Sequence, residues 1–294
     1  MQTGVGEKPL KFGLPVMAGA AGLILAACGA ESATDRPSAR VIERPAGTQD
    51  LDNAFANPPG EGIAVINGRE AATIDVAMPA NLDDFSEKLA AELDGRANSG
   101  TEAFVAAAQA DQVAAQSNEL DFLPHSLDIK WVQTGPLEGN LTAFLGTYIT
   151  FTGGAHPNVS FDVLNWDVEK DQVVGFEDLF DDPAAAREHM TGLLRDGLVK
   201  AKRERLNDAK SSDDDMLSTW VDPAFEGNVT VFERFSLARS SEPDKAGGLI
   251  YHFAPYEVGS YAEGVYVIGV DYNDFADYLS EDYINSFGGN AILP

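Results

Sequence analysis

The stretch from Tyr148 to Asn158 constrains the fold most, because two alternating runs of apolar residues meet there at a pair of glycines. In the first run, one face of the predicted strand carries Leu145, Thr147, Ile149 and Phe151. The other face carries Phe144 and Tyr148. The second run contains Val159, Phe161 and Val163. Gly153 and Gly154 permit positive φ and a sharp change of direction. The pattern predicts a long β-hairpin.

The tip of this hairpin carries small residues, one imidazole and one proline: Gly153, Gly154, Ala155, His156, Pro157 and Asn158. Pro157 favours an extended backbone at His156. A polar tip on a stiff hairpin is typical of a recognition loop, so we predict that these six residues bind a ligand. A tight turn whose histidine is only solvated fits the spacing equally well.

A second short motif lies between the last two predicted strands. It contributes five candidate ligand-binding residues: Pro255, Tyr256, Glu257, Ser260 and Tyr261. The tyrosine rings suit stacking on sugars, and they also serve as anchors in protein interfaces. The alternative is that the two tyrosines fix the loop to the core.

Together, Gly153–Asn158 and the segment Phe253–Gly264 resemble one family of bacterial envelope domains. This family includes the extracellular half of the RsiV-type anti-sigma factors, which sense lysozyme, and the accessory domain of the PdaC-type peptidoglycan deacetylases. The resemblance covers roughly Ala71 to Leu279. It implies non-catalytic recognition of a lysozyme-like muramidase or of peptidoglycan, with the two loops entering the cleft of a muramidase.

The N-terminus has the features of a secretory signal. Lys8 and Lys11 precede a mostly apolar run, and Leu25-Ala26-Ala27-Cys28 resembles a bacterial lipobox. Cys28 is the only cysteine, so no internal disulfide competes for its thiol. We predict a signal peptide at 1–27, a lipid anchor on Cys28 and a flexible linker at 28–62. An ordinary signal peptide with an incidental cysteine is the alternative.

The predicted location follows from this anchor. The chain is expected to be an exported, membrane-anchored lipoprotein facing the periplasm. The residue after Cys28 is Gly29 and not Asp, which favours the outer membrane by analogy with other lipoproteins. The anti-sigma relatives instead carry a cytoplasmic sigma-binding segment and a membrane-crossing helix, so the resemblance does not imply sigma regulation.

The remaining chain predicts an α+β fold in which helices pack on an antiparallel sheet and two subdomains, 63–165 and 166–294, intertwine. We expect one helix to start at an Asn81 cap and another at a capping box from Ser99 to Glu102. A third is expected to follow Asp182, with cations at its C-terminal end that favour the helix dipole. Further strands are expected at three places: Val229–Phe235, Leu249–Phe253 and Val265–Asp271. A short helix is expected from Asn273.

The charge of the chain bears on its partners. With 47 acidic and 20 basic side chains, the formal net charge is −27. Such a field repels nucleic acid and attracts cationic proteins. We therefore predict no nucleic-acid partner, whereas a basic, animal-type lysozyme has the complementary sign.

The sequence contains none of the common catalytic or metal-binding motifs. Its four histidines, His125, His156, His189 and His252, form no zinc-binding spacing, and we predict no metal site, no cofactor and no catalytic residue. The alternative function is a peptidoglycan hydrolase or deacetylase in which His156 acts as a base, oriented by Glu257 or Asp162.

Overall fold

A computed structural model of the protein describes residues 61–66, 69–206, 216–226 and 229–292. The predicted signal peptide, Cys28 and nearly all of the predicted linker lie outside these ranges, so export and lipid attachment stay predictions. No helix in the described part combines the length and apolar character that a membrane span requires. The described residues all belong to one compact unit.

Six strands form the first sheet, in the order in which they occur along the chain. They are β1 (Glu61–Ile66), β2 (Arg69–Ala77), β3 (His125–Gln133), β4 (Leu141–Phe151), β5 (Asn158–Asp167) and β6 (Gln172–Val173). All neighbours are antiparallel except β2 and β3, which run parallel. A parallel pair needs a long crossover connection. Two helices, α1 (Glu87–Asn98) and α2 (Thr101–Ser117), provide it.

Four strands form the second sheet, in the order β10-β7-β8-β9. They are β7 (Phe235–Ser240), β8 (Gly248–Phe253), β9 (Tyr266–Asp271) and β10 (Ala291–Ile292). Three further helices accompany this sheet: α3 (Phe176–Leu179), α4 (Pro183–Leu206) and α5 (Asp222–Phe225). The two antiparallel-rich sheets with their helices confirm the predicted α+β class.

The core is divided between the two sheets. On the first sheet, α1 buries Leu89 and Leu93 against Trp131 and Phe144. On the second, α4 packs against β9 and contributes an apolar stripe of Ala186, Met190, Leu194 and Leu198. Asn165 links the sheets, because its side chain donates to Phe235 O at 2.8 Å and accepts from Leu237 N at 3.2 Å.

The helix expected at Asn81 begins later. Asn81 precedes only a 3₁₀ turn, and Phe85 returns to an extended backbone. The cap of α1 is Ser86, whose Oγ accepts from Leu89 N at 3.1 Å. The capping box expected from Ser99 to Glu102 is also wrong, because Gly100 is the cap and has no side chain to accept a bond.

Other boundaries also differ from the sequence prediction. Val229–Glu233 is a 3₁₀ helix, so the strand expected at 229–235 begins only at Phe235. The expected helix after Asn273 consists of 3₁₀ turns. The α4 prediction is confirmed: Asp182 Oδ1 accepts from the amides of Ala184 and Ala185 at 3.2 and 3.1 Å.

The predicted linker and subdomain limits differ from the limits of the sheets. The strand β1 begins at Glu61, so the last two residues of the predicted linker belong to the first sheet. The predicted division at residue 165 falls inside β5, while the first sheet continues to Val173. The division into two intertwined subdomains stays a prediction.

Candidate functional site

The two predicted loops meet in space. The turn between β4 and β5 brings the ring of His156 flat against the ring of Tyr261, with centroids 3.5 Å apart and planes inclined by 17°. The Tyr261 hydroxyl donates to Pro157 O at 2.9 Å. Residues more than 100 positions apart therefore form one surface, which we call the tip and define as Gly153–Asn158 together with Pro255–Tyr261.

Tyr256 completes the aromatic group at the tip. Its side chain is 58% exposed, and its ring centroid lies 5.8 Å from that of Tyr261. Its hydroxyl lies 3.5 Å from His156 Nε2, while His156 Nδ1 lies 3.2 Å from Pro157 O. Both contacts fit the tautomer in which Nδ1 carries the proton, because Nδ1 then donates and Nε2 accepts.

The backbone at Tyr256 is in the left-handed region, with φ of 73°. A residue other than glycine rarely adopts such a conformation, and surrounding bonds must hold it there. The Tyr256 amide donates to Gly259 O at 3.0 Å, and the Glu257 amide donates to Ala254 O at 3.2 Å. These bonds hold Tyr256 in a tight turn at an exposed position.

Glu257 supports this turn. Its Oε2 accepts from Ala254 N at 2.7 Å, and its Oε1 forms an ion pair with Arg234. The other carboxylate considered as an orienter, Asp162, pairs with Arg96 at 2.9 Å. In the described chain, both candidates are thus bonded to other groups, and neither is seen to orient His156.

Ser260 also has a supporting role, because it connects the tip to a buried ion pair. Its amide and hydroxyl both donate to Glu263 Oε1, at 2.7 and 3.0 Å. The other oxygen of Glu263 accepts from Lys202 Nζ at 2.5 Å and from the Tyr266 hydroxyl at 2.7 Å. Lys202 is 1% and Glu263 8% exposed, so α4 holds the second loop from within the core.

The ionisation of Glu263 reflects these contacts. Burial by itself raises the pKa of this carboxyl, but the hydrogen bonds from Lys202, Tyr266 and Ser260 outweigh burial and lower the pKa to about 2. The carboxylate therefore stays charged at neutral pH. Gly259 packs against this pair so closely that a Cβ there would lie 2.7 Å from Glu263 Oε2.

Sequence reasoning missed Lys202 and Glu263. It attributed the cations at the end of α4 to the helix dipole, but Arg205 donates to Glu263 O and Val265 O, both at 2.6 Å. One signal was present: Lys202 follows Leu194 and Leu198 at intervals of four, on the apolar stripe. A cation on such a stripe indicates a buried partner.

Five predicted residues of the tip remain, of which Pro255 is half-buried. Four of them are exposed and show no described bond to the second loop: Gly153, Gly154, Ala155 and Asn158. Gly153 has φ of +82°, which a side chain would strain. Among the described residues, no group of three or more His, Cys, Asp or Glu side chains is placed to hold a metal ion.

His252 on β8 lies between the two sheets. Its Nε2 is 2.9 Å from the Ser236 hydroxyl, and its ring contacts Phe161 at a centroid distance of 5.6 Å. Burial lowers the pKa of this imidazole to about 4. The imidazole takes up a proton near pH 6.5 in the unfolded chain, but only near pH 4 in the folded chain. Acidification between these two pH values therefore favours the unfolded chain.

We therefore expect the free energy of unfolding to fall as the pH decreases from about 6.5 to about 4, by up to about 1.4 kcal/mol per pH unit from this group. Urea unfolding across this range measures the slope. A His252→Gln variant, which keeps a hydrogen-bonding side chain, should show a shallower slope. An equal slope in both proteins would show that His252 does not cause it.

Comparison with known proteins identifies a class of fold. No family model matches the sequence, and no curated protein matches it. Solved structures similar to this chain include two from one family. The crystal structure of a DUF3298 family member from Bacteroides fragilis has a TM-score of 0.52 at 16% identity, covering 77% of this chain and 94% of that one. A DUF3298 family protein from Pseudomonas aeruginosa has a TM-score of 0.45 at 14% identity, covering 81% and 100%.

The Bacteroides structure shows that this chain shares its fold with a member of a family whose function is undefined. At 16% identity the likeness concerns the fold alone. The finer resemblance to the RsiV-type and PdaC-type domains, and the roles of the tip residues, belong to the proposal that follows.

Proposed function

We propose that this chain is a non-catalytic recognition protein of the bacterial envelope that binds a lysozyme-like muramidase through the tip. The observation that carries the proposal is the meeting of the two loops: His156, Tyr256 and Tyr261 form one aromatic group, of which the Tyr256 ring is 58% exposed. An exposed aromatic anchor on a supported loop is typical of the residues that dominate protein interfaces.

The shape and charge of the tip favour a protein cleft as its counterpart. The tip is the exposed end of a hairpin, so it suits insertion into a cleft better than enclosure of a glycan. The chain has a net charge of −27, which attracts a basic muramidase and accelerates association at low salt. Peptidoglycan is the alternative ligand, since tyrosine rings also stack on sugars.

The predicted lipobox at Cys28 supports a place in the envelope. A lipid-anchored chain that faces the periplasm would meet a muramidase before the enzyme reaches the cell wall. Binding there would protect the wall by occupying the enzyme. The outer membrane is the location that Gly29 favours.

The competing function is a glycan hydrolase or deacetylase that uses His156. General base catalysis by this residue would need an orienting group. Glu257 and Asp162 instead form ion pairs with Arg234 and Arg96. Turnover of peptidoglycan fragments that is lost in a folded His156→Ala variant would support the enzyme.

Calorimetric titration of the full-length chain with an animal-type lysozyme tests the proposal. We expect binding that persists at physiological salt and that Tyr256→Ala weakens by about 2 kcal/mol, or roughly 30-fold, because it removes the exposed anchor. His156→Ala should weaken binding as well, since Tyr261 loses its stacking partner.

His189→Ala is a matched control, because His189 stacks on Tyr278 with centroids 4.8 Å apart, in a His–Tyr pair outside the tip. It should leave binding unchanged. Binding confined to low salt would indicate charge attraction alone. Absence of binding at both salt concentrations would refute lysozyme as the ligand, and sedimentation with peptidoglycan would then test the alternative.

A further inference from the structure

In the described chain, no strand pairs with most of the outer edge of β5, where Phe161 and Val163 are 9% and 7% exposed. The strand pairs with β4 from Asn158 to Asp167, but β6 pairs with it only at Trp166 and Asp167. Within the described part of the chain, no strand lies beside residues 158–164 on the outer side. An unpaired strand edge is a template for another extended chain.

Two contacts identify the backbone groups that face outwards. Val163 O accepts from Arg96 at 3.3 Å, and Asn165 O accepts from Val174 N at 2.9 Å. In an antiparallel strand, alternate residues direct both their N–H and C=O groups to the same edge. The Val163 N–H and both backbone groups of Phe161 therefore point outwards, and no described residue pairs with them.

A groove with a volume of about 780 Å³ lies beside the part of this edge that contains Phe161 and Val163. Its lining is apolar around Phe161, Val163, Val174, Phe176 and Phe232. A strand rises about 3.3 Å per residue, so the unpaired stretch 158–164 spans roughly 20 Å, and the groove lies along its C-terminal half. The groove thus offers a row of backbone groups and an apolar lining to one extended peptide.

The charges around the groove select a cationic peptide. Its three arginines, Arg96, Arg187 and Arg234, each have a carboxylate partner. Two further carboxylates, Asp178 and Glu233, also line the groove, and Glu233 has no ion pair among the described residues. The lining therefore has more acidic than basic groups, in a chain whose net charge is −27.

We propose that the outer edge of β5 binds an extended cationic peptide segment by strand addition, as a second site beside the tip, with which it shares the Arg234–Glu257 ion pair. Phe161 and Val163 supply the backbone hydrogen bonds. The apolar lining takes alternate side chains, and Glu233 attracts the positive ones. Main-chain bonds give such a site its affinity and the side-chain positions give its specificity.

The test uses the peptide Lys-Val-Lys-Val-Lys-Val-Lys and the full-length chain. We expect its addition to slow amide hydrogen exchange at Phe161 and Val163, while Asp162 and Leu164, whose backbone groups face β4, remain unchanged. Two further peptides carry backbone N-methyl groups, one at its lysines and the other at its valines. Only one of the two should lose binding, because alternate N–H groups of a strand face the same side. Slowed exchange at all four residues would contradict strand addition.

Two variants separate this site from the tip and test its charge. Glu233→Lys lies at an exposed position, and it should weaken the peptide by about fivefold or more, since it repels the lysines. Tyr256→Ala should bind the peptide as the unmodified chain does. Equal affinity for the peptide Glu-Val-Glu-Val-Glu-Val-Glu would refute the cationic preference, and absence of binding by both peptides would refute the site while leaving the proposed function intact.

Discussion

Replacing Lys202 with methionine is expected to lower the free energy of unfolding by about 3–5 kcal/mol, because the change leaves Glu263 buried without its cation. Methionine has a similar length, so the loss would come from charge and hydrogen bonding. Glu263 also accepts both bonds from Ser260, so the second loop of the tip should loosen at the same time. Urea unfolding measures the stability, and hydrogen exchange at the Ser260 amide measures the loosening.

Two comparisons make this prediction specific. Lys200→Met, at an exposed position on the same helix, should change the free energy of unfolding by no more than about 0.5 kcal/mol. In the double variant Lys202→Met with Glu263→Gln, the neutral amide needs no counter-charge, so much of the lost stability should return. If Lys202→Met proves as mild as Lys200→Met, the ion pair does not stabilise the loop.

Replacing Trp131 with alanine is expected to cost about 3–5 kcal/mol, since it empties a large volume in the core of the first sheet. Trp131 is 1% exposed and lies opposite Gly146 on β4. Its ring meets that of Tyr148 edge to face, at a centroid distance of 6.3 Å. The tip depends on this core, because β4 is the strand that leads into it. Thermal unfolding measures the loss.

Gly146 provides the internal control for Trp131. A Cβ at this position would lie 2.6 Å from Trp131 Cε2, so Gly146→Ala should destabilise the unmodified protein. In the Trp131→Ala background, the same methyl group would enter empty space and should be harmless or stabilising. The two changes are therefore expected to be non-additive. Additive effects would show that the ring does not fill the space above Gly146.

Local patterns predicted the hairpin and the residues at its tip. The alternation on both sides of Gly153 and Gly154 sets two strands and their faces, and the side-chain period of two leaves little freedom in register. The structure pairs β5 with β4 over the whole length of β5, from Thr150 opposite Asn158 to Leu141 opposite Asp167. That Pro255–Tyr261 belongs to the same surface was indicated by the resemblance to a known family and not by the pattern of apolar residues.

Contacts between distant residues could not be predicted in this way. Lys202 and Glu263 are 61 positions apart, and neither carries a local signal for the other. Arg234 likewise meets Glu257 only because β7 and β8 are neighbours. Where two suitable caps compete locally, as Asn81 and Ser86 do, tertiary packing of Leu89 and Leu93 determines where the helix begins.

The left-handed backbone at Tyr256 has a consequence for the evolution of this surface. Glycine would adopt φ of 73° without steric cost, whereas a tyrosine there carries strain on the order of 1 kcal/mol. Stability alone would therefore favour glycine at this position, and only the ring can favour tyrosine. Selection for binding through the ring favours tyrosine here, whereas selection for stability favours glycine. A relative that no longer binds the partner is therefore expected to replace this tyrosine with glycine.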